Sequence, residues 1–144
     1  MPAAITVDTR DVLPLLRGLQ GVQADLRRNA NAELRAAAAT TAAGLVTRLR
    51  LAGDASSTPQ AALVASTVRV KSDRVPAVSI GGPRRVGHRR TAAGVLLWGS
   101  ERGGRNFPGG GHWIAPTVEE FKAGPAADAY YVAVAAILRK YGVL

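Results

Sequence analysis

The chain has 144 residues, 19 basic against 10 acidic, for a formal net charge of +9. That length fits one domain, 1–144, with a moderate core, and an apolar content of 47% is enough for it to fold. The lack of cysteine excludes disulfides, thiol catalysis and cysteine-ligated zinc, and no apolar run is long enough to span a membrane.

Aromatic residues are only 5% of the chain, so the core is expected to be thin and built from Ala, Leu and Val. A thin module buries little surface alone and is often completed by assembly. Sixteen of the 19 basic residues are arginine. The excess positive charge implies attraction to something negative, either DNA or an acidic protein face.

In chain order, "AITVD" (4–8) alternates apolar and polar residues and predicts a short strand. The opening has no apolar signal-peptide core. "TRDVLPLLRGLQ" (9–20) predicts a short helix, capped by Asp8 or Thr9 and kinked at Pro14. From Gly21 to Leu51, Val22, Leu26, Ala30, Leu34, Ala37, Thr41, Leu45 and Leu49 recur at steps of three and four. They predict one long amphipathic helix, ended by "AGDASSTP". "ALVASTVRVKSD" (62–73) places Val64, Ser66, Val68 and Val70 on one face at period two and reads as a strand. It is expected to pair as a hairpin with a second strand near 77–80.

The stretch 81–92 is glycine-rich, basic and aperiodic, and predicts a mobile loop. "TAAGVLLWGS" (91–100) has the length of an apolar strand. "ERGGRNFPGGGH" (101–112) predicts a second mobile loop. Pro116, Glu119 and Glu120 suit the first turns of a helix, which Gly124 and Pro125 interrupt. A final helix runs from Ala126 to Tyr141, with Tyr130, Val134, Ile137 and Leu138 on one side. Internal repeats are absent from the sequence. The expected fold class is α+β: a long N-terminal helix and a C-terminal helix packed on a small, mainly antiparallel sheet of three or four strands.

No catalytic constellation emerges. The two histidines, His88 and His112, lie in glycine-rich segments with no carboxylate nearby in sequence to orient them. The acids have no metal-ligand spacing, and no phosphate-binding glycine motif occurs. No catalytic residue, cofactor or metal is therefore expected. Arg84, Arg85, Arg89, Arg90, Arg102 and Arg105 gather in the two loops with Glu101 as the only acid, and are the candidate contacts to another subunit or to DNA. No recognition helix, zinc finger or aromatic platform accompanies them. Trp98, Phe107 and Trp113 are candidate core or interface anchors.

The feature order resembles the tail-completion or minor tail (neck, head–tail connector) proteins of long-tailed bacteriophages. "GVLLWGSERGG" (94–104) takes the place of that family's strand and glycine turn, and "HWIAPTVEEF" (112–121) that of the aromatic-apolar-x-Pro motif opening the last helix. "ITVDTRDVLPLLRGLQ" looks like the family's opening strand and short helix. The family often has a Glu before the glycine where this chain has Leu97-Trp98-Gly99; here the acid comes later, at Glu101. The basic segment 81–90 is also unusual. The resemblance implies a non-enzymatic virion protein, assembled in the host cytoplasm. It would form a homo-oligomeric ring, for example a hexamer, between the connector and the tail tube. Its arginines would meet acidic faces of neighbouring subunits first, or else the DNA in the channel. The alternative reading is a small basic DNA-binding protein, and the last a hydrolase using His112 or His88.

Overall fold

The computed structural model describes residues 4–8, 24–56, 58–71, 76–102 and 112–142, with 4–8, 24, 25 and 102 described by their backbone alone. Among these residues the order is β1 (Ala4–Asp8), α1 (Ala24–Ala55), α2 (Pro59–Ala65), β2 (Arg69–Lys71), β3 (Ala77–Gly81), β4 (Arg85–Val86), β5 (Thr91–Ala92), α3 (Ala93–Arg102), α4 (Ile114–Lys122) and α5 (Pro125–Lys140). The fold is α+β, with the expected long N-terminal and C-terminal helices. The short helix expected over 9–20 lies outside the described residues.

Helix α1 spans 32 residues, and its buried apolar residues follow the helical period from Ala30 to Leu49, whereas Leu26, on the expected stripe, is exposed. Ala30, Leu34, Ala38, Ala42, Leu45 and Leu49 are buried. The sequence stripe ran through Ala37 and Thr41, and the buried line passes one residue further on, at Ala38 and Ala42. Thr40, Thr41 and Thr47 return their hydroxyls to the carbonyls four residues back, so they do not interrupt the helix. The N-terminal half packs on α5 through Ala30, Leu34, Val134 and Leu138. The C-terminal half joins a larger core with Val64, Val68, Val78, Ile80, Leu97, Trp113 and Phe121. That core is mainly Ala, Leu and Val, as the composition implied.

Two segments differ from the sequence reading. Residues 62–68, expected as strand, begin inside helix α2. Thr58 caps it, its hydroxyl accepting the Ala61 amide, and Pro59 occupies the first turn. Ala61, Val64 and Ala65 are buried at helical spacing. Val64 and Val68 matched a period of two only because a four-residue step satisfies both periods. The strand proper, β2, is three residues long. The stretch 93–102, also expected as strand, is helix α3. Ala93, Leu97, Ser100 and Glu101 point inward, whereas Val95 and Trp98 face solvent. An apolar residue on the exposed face hid the period.

Strand β3 is central in the order β1-β3-β2. It pairs antiparallel with β1, Thr6 opposite Ser79, and with β2, Val70 opposite Val78. The hairpin of β2 and β3 is thus as expected. Thr67 locks its base: the buried hydroxyl donates to the Val64 carbonyl and accepts the Gly81 amide. Arg50 on α1 ties the helix to the start of β2 by donating twice to the Val68 carbonyl, at 3.0 and 2.6 Å.

Glu33 on α1 and Lys140 on α5 form an ion pair at 2.7 Å that joins the two helices. Hydrogen bonds from Lys140 and then Tyr141 hold the Glu33 carboxyl below its ordinary value of 4.5. Glu33 in turn holds Lys140 above 10.5. A lowered carboxylate stabilises the fold above its ordinary pKa, and that contribution is lost as pH falls through the folded value. A raised ammonium stabilises below its ordinary pKa and loses its effect as pH rises through the folded value. Wild-type melting temperature should therefore exceed that of Lys140→Met at neutral pH, and thermal melts at successively lower pH should show the gap closing as the pH falls through the lowered value of Glu33.

Candidate functional site

The stretch 81–92, read as an aperiodic loop, is a small hairpin. β4 and β5 pair antiparallel, Arg85 opposite Ala92 and Val86 opposite Thr91. The pairing continues toward α3, where the Ala93 amide donates to the Arg84 carbonyl and the Gly94 amide to the Gly82 carbonyl, both at 2.8 Å. The tip, Gly87–Arg90, closes through the Arg90 amide and the Gly87 carbonyl. Gly87 at φ 73° and Arg90 at φ 50° both occupy the left-handed region. Glycine takes that conformation freely, while arginine needs support. Arg85 supplies it by donating Nη1 to the Arg90 carbonyl at 3.1 Å.

The six candidate arginines therefore divide. Arg84, Arg85, Arg89 and Arg90 all stand exposed on this one hairpin. Arg102 ends α3, with its side chain outside the described residues, and Arg105 and Phe107 lie wholly outside them. Arg69 and Lys71 on β2, which the sequence reading did not single out, are also exposed. Arg69 and Arg84 line one open groove of about 430 Å³, together with Thr67, Gly81 and Pro83. The signal that could have found Arg69 was its outward position at the start of a strand that begins beside the hairpin.

The second feature is a carboxylate clasp between the end of α3 and the start of α4. Glu101, only 7% exposed, reaches across to the start of α4. Its Oε2 accepts the Trp113 amide at 2.8 Å and the Ile114 amide at 2.7 Å, and Oε1 accepts the Ala115 amide at 3.1 Å. The Glu101 carbonyl also accepts the His112 amide at 2.9 Å. Helix α4 lacks a local cap, because Trp113 at its N-cap makes no side-chain capping bond. The first amides of a helix have no partner within it, and an anion there is favoured by both hydrogen bonding and the helix dipole. Glu101 fills that role from 12 to 14 residues away. Beside it, the Trp113 indole donates Nε1 to the Ser100 hydroxyl at 3.3 Å, and Ser100 donates to the Leu97 carbonyl.

The tryptophans thus have different positions. Trp113 is a core residue, 3% exposed. Trp98 is 45% exposed on α3, one turn from Val95 at 64%, so it is no core anchor. His112 is exposed, at φ 44°, and His88 is exposed at the hairpin tip. Among the described residues no group of three or more His, Asp or Glu side chains is placed to hold a metal ion. Among the same residues, no helix is long and apolar enough to cross a membrane.

No protein-family model, no curated protein and no solved structure matches the chain.

Proposed function

We propose that the chain is a structural protein of the neck of a long-tailed bacteriophage, one copy in a homo-oligomeric ring that joins the connector to the tail tube. The observation that carries this reading is the Glu101 clasp. The resemblance to neck proteins rests on two short motifs, "GVLLWGSERGG" and "HWIAPTVEEF", separated by a glycine-rich segment; the first forms helix α3 here, where that family has a strand. In the fold these motifs grip one another: Ser100 and Glu101 of the first hold the indole and backbone of the second. Neither motif can make this clasp alone, which gives their occurrence together a physical reason.

Assembly is further supported by the exposed apolar residues. Val95 and Trp98 on α3, Leu51 on α1 and Val132 on α5 all stand more than two-fifths exposed. Tryptophan in particular concentrates at the centres of protein interfaces. In this reading the chain catalyses nothing, and its partners are copies of itself and the neighbouring connector and tail proteins. The test is immunogold labelling of virions seen by electron microscopy. Label should sit at the head–tail junction, and particles that lack the protein altogether would overturn the assignment. The second reading, a small basic DNA-binding protein, is favoured by the arginine-bearing hairpin.

A further inference from the structure

We infer that the β2 strand and the hairpin of 82–92 together form a binding groove for the phosphodiester backbone of nucleic acid, read without sequence preference. Five arginines from two separate elements stand exposed on or beside it: Arg69 from β2, and Arg84, Arg85, Arg89 and Arg90 from the hairpin, with Arg69 and Arg84 lining the groove itself. The sequence has no acid between Asp73 and Glu101. Glu101, the acid that ends this stretch, is turned inward onto three backbone amides and cannot neutralise the face. Among the described residues, Arg69, Arg84 and Arg89 have no carboxylate within ion-pair distance. Guanidinium forks in an open groove match phosphate oxygens.

The platform is rigid where it needs to be. The carbonyls of Gly82 and Arg84 are bonded to the first amides of α3, and Thr67 pins Gly81 to the end of α2. Arg85 holds the turn and is a positioning residue; Arg69 and Arg84, which line the groove, are the phosphate contacts, and Arg89 and Arg90 add charge at the hairpin tip. A second copy of the chain is a poor match for so much charge. The exposed acids among the described side chains are Asp54, Glu119, Glu120 and Asp128, and Glu119 already faces Lys122 at 3.8 Å. A double-stranded backbone carries a charge about every 1.7 Å, so it can meet several arginines at once. The absence of an aromatic platform on the hairpin favours the duplex over stacked single strands. The inference does not rest on ring formation, since a single copy presents the whole groove.

The experiment measures affinity for a short random-sequence DNA duplex by fluorescence anisotropy, at salt from about 50 to 200 mM. Affinity should fall linearly with salt on logarithmic axes. Arg69→Ala with Arg84→Ala should reduce the slope by about 2 and weaken binding roughly 10- to 100-fold at 0.1 M salt. Removing the same charge elsewhere, with Arg48→Ala and Arg139→Ala, should leave the slope nearly unchanged. The groove is wrong if the two pairs of substitutions act alike, or if wild type shows no salt-dependent binding. Binding of poly-glutamate tighter than that of the duplex, compared at equal charge and salt, would assign the face to an acidic protein instead.

Discussion

Replacing Gly53 by alanine should destabilise the fold by about 2–3 kcal/mol and lower the melting temperature by about 10 °C. Near the end of α1 this glycine lies against α2. A methyl group there would stand 2.3 Å from the Ala65 methyl, 3.1 Å from the Ala61 carbonyl oxygen and 3.3 Å from the Trp113 ring. The first two neighbours belong to the rigid body of α2, and the third is a buried indole fixed by Ser100. None can swing away, so the helices must part. The intrinsic gain of alanine over glycine in a helix, about 1 kcal/mol at most, is too small to offset this overpacking. Gly44→Ala on the same helix is the matched comparison. Its methyl would meet only the Phe121 ring, at 3.7 Å, an ordinary contact. That variant should be neutral or up to about 1 kcal/mol more stable. Urea denaturation of the two proteins separates a steric effect from a general effect of removing glycine.

Glu101→Ala should cost about 3–5 kcal/mol, because three amides of a buried helix start lose an anionic acceptor at once. Glu101→Gln keeps the shape but replaces one acceptor oxygen by a donor. Its carbonyl can serve Trp113 and Ile114, yet the amide nitrogen then faces the Ala115 N–H. About 2 kcal/mol should be lost. An exposed acid on the same helix, changed as Glu119→Gln, should stay within about 0.5 kcal/mol of wild type. Hydrogen exchange gives the local readout: the amides of Trp113, Ile114 and Ala115 should exchange faster in Glu101→Gln before global stability fails. Unchanged protection at those amides would mean that the carboxylate does not cap the helix.

The long elements were legible in the sequence because their signals are local. Helix α1 repeats its apolar step many times, and α5 starts at Gly124-Pro125 and ends with Arg139 and Lys140 before Gly142. The errors fall where two periods or two roles coincide. Val64 and Val68 suit a strand and a helix equally, and Thr58-Pro59 was read as the end of α1 when it also starts α2. In 93–102 the exposed Val95 and Trp98 removed the polar side that marks a helix. The arginines of the hairpin were visible as composition. Their division into a turn support, Arg85, and exposed contacts depends on the left-handed Arg90, which no residue pattern announces. In the sequence Glu101 stands out only as the one acid among the loop arginines and as an acid near a glycine turn. Its partners are backbone amides 12 to 14 residues away, and backbone amides leave no mark in a sequence.

The proposed ring is tested by the mass of the purified protein in solution. Light scattering coupled to gel filtration, with negative-stain images of the same peak, should give one discrete oligomer with a central hole. Its mass should be a whole multiple of the 15.0 kDa chain. Replacing exposed Val95 and Trp98 by serine should shift that peak toward the monomer while leaving the circular dichroism spectrum unchanged. A wild-type protein that stays monomeric at all concentrations, with no ring in the images, would contradict the account.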